Sequence, residues 1–372
     1  MDVMLLAGTR PEAIKLAPLA LTMAGHSTLR PRIVHSGQHP DMVDQALAPF
    51  RLRADARLDL PERTAGTQAE LVAGLLPELD NLLAAHRPAA LVVQGDTTTV
   101  LAGALAAFWR RIPVIHLEAG LRTGDLDAPF PEEGTRQLVA RIAALHLAPT
   151  EPAAAALRRE GIPANRIVVT GNTVVDAVLA IAAKRLPLRD PALAALQGTR
   201  LVLVTSHRRE SWGEPLSRTL AAVRRLADTH PDTHVLLPVH PNPALRRQVR
   251  AELTGHPRIA ITEPLDYPDL VHALRCAELV LTDSGGIQEE APTFGTPVLV
   301  LRETTERMEA VDSGHAWLVG TDTDLITKTA GRVLAGELTV AGGGNPYGDG
   351  AAASRAVLAI ERLLAGLTPT PC

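Results

Sequence analysis

The sequence is short of most features that mark secreted, metal-held or membrane proteins. It has two cysteines in 372 residues, Cys276 and Cys372. They give neither a disulfide framework nor a metal-ligand spacing, which fits a reducing compartment. Cys276 is expected as a buried apolar filler. Charge of one sign is also missing: 37 Lys and Arg against 41 Asp and Glu leave a net charge of −4. That removes the long-range electrostatic case for nucleic acid or an anionic membrane, so any polyanion site must be local. The longest apolar and glycine run, residues 100–109, is far shorter than the roughly 18 residues of a bilayer span. Residues 1–6 have no basic stretch before their apolar run, so no signal peptide is expected and a cytoplasmic location is. No Gly-x-Gly-x-x-Gly follows the first apolar run, which argues against a nicotinamide or flavin dinucleotide. Neither a cofactor nor a metal is expected. Aromatic residues, at 2 %, read with the Ala-rich stretches as coding bias rather than function.

What is present is a repeating alternation. Short β-branched or Leu-rich runs at 3–6, 32–34, 91–93, 113–115 and 144–147 are separated by Ala/Leu/Arg stretches with helical spacing. A second set begins at 167–169 and continues at 201–204, 234–237, 259–261, 279–281 and 298–300. Such alternation predicts parallel sheets covered on both faces. The length exceeds the roughly 250 to 300 residues at which one core stops growing. The expectation is therefore an α/β protein of two doubly wound, Rossmann-like domains, 1–170 and 171–350. A closing helix within 351–372 is expected to pack back on the first. The junction is placed near Gly171-Asn172-Thr173, with a polar connector at 184–199.

In open α/β sheets ligands sit beyond the carboxyl ends of the strands, so the residues just after each apolar run are the informative ones. The first run leads into Gly8-Thr9-Arg10-Pro11-Glu12, either an ordinary strand-to-helix turn or a set of amides and an arginine that receives a diphosphate. Gln94-Gly95-Asp96-Thr97 reads equally as a helix N-cap or as a carboxylate aimed at a ligand. Glu118 follows the next run, and Glu132 and Arg136 follow a Pro-containing loop. Three strand ends that each offer a carboxylate to one crevice favour a site. In the second half, Ser206-His207-Arg208-Arg209-Glu210 offers charge-assisted bonds to phosphate or is a basic helix start. His240 lies in a rigid Pro-flanked loop. Asp283-Ser284-Gly285-Gly286 opens a helix with exposed amides, and the acidic residues one turn on, Glu289 and Glu290, can hold ribose hydroxyls. The run at 298–300 ends in polar residues that include Arg302, Glu306 and Arg307, which read as ligand groups or a solvated turn.

These ordered motifs, from Gly8 to Asp349, resemble those of the non-hydrolysing UDP-N-acetylglucosamine 2-epimerases, and they run through nearly the whole chain. The resemblance implies the two-domain fold of B-type glycosyltransferases, with the domains facing each other across a cleft. It also implies reversible epimerisation of UDP-GlcNAc to UDP-ManNAc through loss of UDP, a 2-acetamidoglucal and re-addition of UDP. Asp96, Glu118 and Glu132 match the family's catalytic carboxylates, and His207 the group that assists departure of UDP. Arg10, Arg136, Ser284, Gly285, Gly286, Glu290 and Arg307 match its contacts to the nucleotide sugar. Gln38, Arg208 and His240 match a second, activating UDP-GlcNAc site. Two departures stand out: the loop at 64–69 reads Thr-Ala-Gly-Thr-Gln-Ala where relatives carry Gln-x-Leu, and Met308 stands where the family commonly has Pro. A homodimer and a role in cell-surface polysaccharide synthesis are further implications. The alternative is a glycosyltransferase of the same fold, which would show an apolar or basic acceptor-side stretch; none is seen in the sequence.

Overall fold

The computed structural model describes residues 1–39, 41–61, 63–208, 211–340 and 342–367. Arg209, Glu210 and Cys372 lie outside them. The chain divides into two compact units, Met1–Ala180 joined by the chain from Tyr347 onward, and Ile181–Pro346.

The first unit is built on a parallel sheet. Its strands are β1 (Asp2–Ala7), β2 (Arg30–His35), β3 (Ala56–Arg57), β4 (Ala90–Gln94), β5 (Val114–Leu117), β6 (Leu145–Ala148) and β7 (Ile167–Val169), in the order β3-β2-β1-β4-β5-β6-β7. The second sheet has β8 (Arg200–Thr205), β9 (Thr233–Pro238), β10 (Ile259–Thr262), β11 (Ala277–Thr282), β12 (Val298–Val300) and β13 (Ala316–Leu318), in the order β10-β9-β8-β11-β12-β13. All ladders in both are parallel. The runs are apolar because helices cover both faces: β4, β5 and β6 are buried from end to end. The two doubly wound α/β domains are therefore present.

The run at 167–169, expected to open the second set, is instead the edge of the first sheet, paired with β6. Edge position rather than composition decides its membership, and a short apolar run carries no sign of which sheet it joins. The second sheet also gains β13, which the sequence reading left out. The helix Ala352–Leu364 belongs to the first unit: its first amides, Ala352 and Ala353, donate to Asp176 at 3.2 and 2.9 Å. Cys276 is exposed, not an interior filler. It ends the helix Tyr267–Cys276, whose buried face is carried by Tyr267, Val271, Ala273 and Leu274.

In each sheet the chain winds outward from one strand and then returns to that strand's other side. The reversal falls between β1 and β4 in the first unit and between β8 and β11 in the second. Loops leaving such a pair diverge, which makes the carboxyl ends of these strands the natural place for a ligand.

Candidate active site

At the β1/β4 reversal, Gly8 leads into the helix Arg10–Ala24. A Cβ on Gly8 would lie 2.3 Å from Thr99 Oγ1 and 2.6 Å from Ser36 Oγ, so glycine is required for the β1 loop to approach its neighbours. Pro11 stands in the helix's first turn, and Glu12 accepts from the amides of Gly8 (2.5 Å) and Thr9 (3.0 Å). It also accepts from the Thr97 hydroxyl at 2.5 Å. Burial pushes the Glu12 carboxyl up to about 7, against these three donors. Asp96, half-buried, receives Arg136 through Nε and Nη2, both at 2.8 Å, and Arg136 also bonds the buried Glu133 at 3.1 Å. One residue before Asp96, the Gly95 carbonyl accepts from His116 Nε2 at 2.7 Å. Burial holds His116 down at about 4, so this imidazole is neutral.

Glu118 follows β5 with φ 64°, a left-handed backbone uncommon for a residue with a side chain. Its carboxylate is buried and accepts Lys15 Nζ at 2.7 Å on both oxygens and the amide of Gln94. A strained backbone held by buried polar partners is the kind of geometry that collects at functional sites. Glu132 is half-buried and opens the helix Glu132–Ile142, whose Arg136 is the partner of Asp96. Arg10 is half-buried at the start of its helix. Gln38 accepts from Thr99 Oγ1 at 2.7 Å and so sits at the same end of the sheet.

At the β8/β11 reversal the centre is Asp283, fully buried. It accepts His207 Nδ1 at 3.1 Å, Ser206 Oγ at 3.0 Å and the amides of His207 and Arg208 at 3.0–3.1 Å. Burial raises this carboxyl, but the His207 contact and the other donors outweigh it and hold Asp283 down at about 2. With Nδ1 engaged, His207, about half exposed, has Nε2 as its other ring nitrogen. His240 is exposed, and its imidazole is lowered by partial burial and by nearby His207. Ser284 precedes the short helix Gly285–Glu290. A Cβ on Gly285 would lie 2.6 Å from Arg307 Cζ, so glycine lets the guanidinium lie flat against the helix start. Arg307 is oriented by Glu289 at 3.1 Å and by Glu306. Glu306 also receives Arg302 at 2.9 Å and Arg208 at 3.6 Å. Burial opposes ionisation there, but the three guanidinium groups hold Glu306 far below the usual carboxylate range. Glu290 is buried at the end of its helix.

The expected residues thus fall into two clusters: Asp96, Glu118, Glu132, Arg136, Arg10 and Gln38 on the first unit, and His207, Arg208, His240, Ser284, Gly285, Gly286, Glu290 and Arg307 on the second. The sequence gives no signal for Lys15, and it offers Glu12, Gln94, Asp283 and Glu306 only as members of strand-end motifs, without a role of their own. Glu12 was open to detection, because Thr9-x-x-Glu12 is a capping-box spacing. Lys15 carried no such signal: its burial against Glu118, 103 residues away, is a tertiary fact. The departing loop at 64–69 forms its own capping structure, in which Glu70 accepts from Thr64, Ala65 and Thr67. Among the described residues no group of three or more His, Cys, Asp or Glu is placed to hold a metal. Nor is any described helix long and apolar enough to cross a membrane.

The family model for UDP-N-acetylglucosamine 2-epimerase matches residues 22–361. A UDP-N-acetylglucosamine 2-epimerase of Yersinia pestis is 43 % identical, the match covering 97 % of this chain and 98 % of that one. The Escherichia coli K12 enzyme of the same name is 41 % identical, with coverage of 97 % and 98 %. Among solved structures, the UDP-GlcNAc 2-epimerase of Neisseria meningitidis bound to UDP-GlcNAc superposes with a TM-score of 0.89 at 36 % identity, covering 98 % of this chain and all of that one. A neighbour at 15 % identity, the spinosyn forosaminyltransferase SpnP, shares the fold with a TM-score of 0.59. With the match running through both sheets and both reversals, this chain belongs to the UDP-N-acetylglucosamine 2-epimerase family.

Proposed function

We propose that the protein interconverts UDP-GlcNAc and UDP-ManNAc by eliminating and re-adding UDP. The observation that carries this reading is the set of carboxylates at the ends of neighbouring strands, Asp96 after β4 and Glu118 after β5, each on a buried cationic partner. The hydrogen on sugar C2 has no adjacent carbonyl and is barely acidic, so direct deprotonation is slow. Cleavage of the C1–O bond first sends its electron pair to UDP and builds oxocarbenium character at C1. The C2 proton then passes to a carboxylate and a C1=C2 double bond forms. Re-addition of UDP at C1, with a proton returned to the other face of C2, gives the epimer.

Asp96, Glu118 and Glu132 share cation stabilisation and proton transfer. His207, its Nδ1–H directed to Asp283, uses Nε2 to support the departing diphosphate. Arg10, Arg136, Arg307 and the amides at Ser284–Gly286 hold the nucleotide sugar, with Glu290 on the ribose. Gln38, Arg208 and His240 are the candidates for a second UDP-GlcNAc. Homodimeric assembly, a cytoplasmic location and supply of a cell-surface glycan complete the family-based reading, and light scattering of the purified chain checks the first of these.

Proton NMR with UDP-GlcNAc in deuterated water is the decisive experiment. UDP-ManNAc carrying deuterium at C2, with traces of 2-acetamidoglucal and UDP, is the expected result. An unchanged spectrum that alters only when a sugar acceptor is added would overturn it in favour of a glycosyltransferase.

A further inference from the structure

Glu12 is a fully buried carboxylate that the reaction just described does not use. Two of its three hydrogen bonds, from the Gly8 and Thr9 amides, are the ordinary reach-back of a capping residue to the start of its own helix. The third is not: the Thr97 hydroxyl belongs to the β4 loop, 85 residues away, and meets Glu12 Oε1 at 2.5 Å. Capping alone needs no such partner. The contact spans the reversal between β1 and β4, the place where loops would otherwise diverge. Thr97 is the residue after Asp96, while the residue before it, Gly95, is held through its carbonyl by His116. Asp96 is therefore fixed at both neighbouring residues and at its carboxylate by Arg136.

We propose that Glu12 is a positioning residue for Asp96, acting as a latch through the Thr97 hydroxyl that locks the β4 loop to the β1 loop. The proposal rests on the epimerase reading only in assigning Asp96 to the sugar. The two loops then move as one body, so the aim of the Asp96 carboxylate is set by a residue that never touches substrate. A displacement of about an ångström at a reacting group is enough to cost orders of magnitude in rate.

The test uses Thr97, because Glu12→Gln also disturbs the helix start. Thr97→Val removes the hydroxyl and should lower kcat about tenfold while KM for UDP-GlcNAc stays within about twofold. Thr97 is also the N-cap of the helix Thr98–Trp109, accepting from Val100 N. Thr97→Asp keeps a strong cap but cannot donate to Glu12 when ionised, so, assayed at about pH 8.5 where Glu12 has also released its proton, it should fall as far as Thr97→Val. Thr97→Ser keeps both functions and should recover at least about half of the wild-type kcat. In a Glu12→Gln/Thr97→Val double variant the losses should not multiply, since both break one contact. Wild-type kcat in Thr97→Val, full activity in Thr97→Asp, or multiplicative losses would each overturn the latch. Amide exchange of residues 94–97 reads the latch without turnover: faster in Thr97→Val and Thr97→Asp, unchanged in Thr97→Ser. A wild-type chain inactive on UDP-GlcNAc sinks the functional reading, and the exchange rates still decide the latch; equal rates in all four chains would overturn it.

Discussion

The two sheets reverse direction in the same way, yet their reversal points are furnished differently. In the first unit two carboxylates at the strand ends are matched to cations inside the protein, Asp96 to Arg136 and Glu118 to Lys15. In the second, the β8/β11 end surrounds buried carboxylates, Asp283 and Glu306, with donors: an imidazole, amides and three guanidinium groups. On the proposed function the first cluster offers negative groups to a cationic transition state, and the second offers cationic and N–H groups to the diphosphate. In both, one acidic residue bridges the reversal, Glu12 to Thr97 and Asp283 to His207. Similar topology supports the division of labour, and only the side chains reveal which unit does which part.

The comparison breaks most visibly if the first cluster proves to bind nucleotide. Glu118→Gln or Asp96→Asn should lower kcat by about 10²–10⁴-fold, the usual worth of a positioned acid–base group, with UDP affinity by calorimetry within about twofold of wild type. A matching loss of UDP affinity would put these carboxylates at the diphosphate and erase the distinction.

On the second unit, Asp283→Asn should lower kcat by about 10²-fold. The substitution removes the negative charge that pairs with the His207 ring, and an amide nitrogen facing Nδ1 cannot accept its N–H, so the ring loses the partner that aims Nε2 at the diphosphate. His207→Ala should do at least as much and also weaken UDP binding by about tenfold, the worth of one charge-assisted hydrogen bond. Unchanged UDP affinity in His207→Ala would remove this residue from the diphosphate.

A smaller effect sharpens the role of Arg307. Gly285→Ala places a methyl 2.6 Å from the guanidinium carbon, so Arg307 must swing away. KM should rise about fivefold with kcat little changed, the mark of lost uniform binding. Combined with Arg307→Ala, the glycine change should add nothing.

How much of this was legible in the sequence follows from how local each signal is. The strand ends and their polar residues could be read because they are contiguous: apolar run, glycine, charge. The sheet edges are harder: β3 and β13 have no counterpart among the runs read, and the run at 167–169, inside the expected domain bounds 1–170, groups by composition with the second set because pairing with β6 is not encoded in three residues. Partnerships were least legible. Asp283 and His207 are 76 residues apart, and Lys15 and Glu118 are 103 apart. Sequence named one member of each pair as functional, whereas the other emerged only when adjacent strands brought them together. Cys276 shows the same limit from the opposite side, since its exposure depends on helix phase at the last turn rather than on residue type.

The smallest expected effect concerns stability and tests whether the first cluster is as dry as its ion pairs imply. His116 and His146 face each other in register on β5 and β6 and, chiefly through burial, are held at about 4 and about 3. Unfolded, both take up protons near pH 6.5, so between about 4.5 and 6.5 the unfolded chain binds two protons that the folded one refuses. Glu12 runs the other way: raised from 4.5 to about 7, it keeps a proton in the folded state that the unfolded state has released. From these three groups the unfolded state binds one proton more, which contributes a fall in stability of roughly 1.4 kcal/mol for each pH unit of acidification across that window. His146→Leu removes one proton from the balance and spares the His116 contact to Gly95, so it should flatten that slope when urea unfolding is compared at pH 5.0 and 6.5. An unaltered slope would mean that His146 is protonated in the folded protein and that water reaches the layer beneath Asp96 and Glu118.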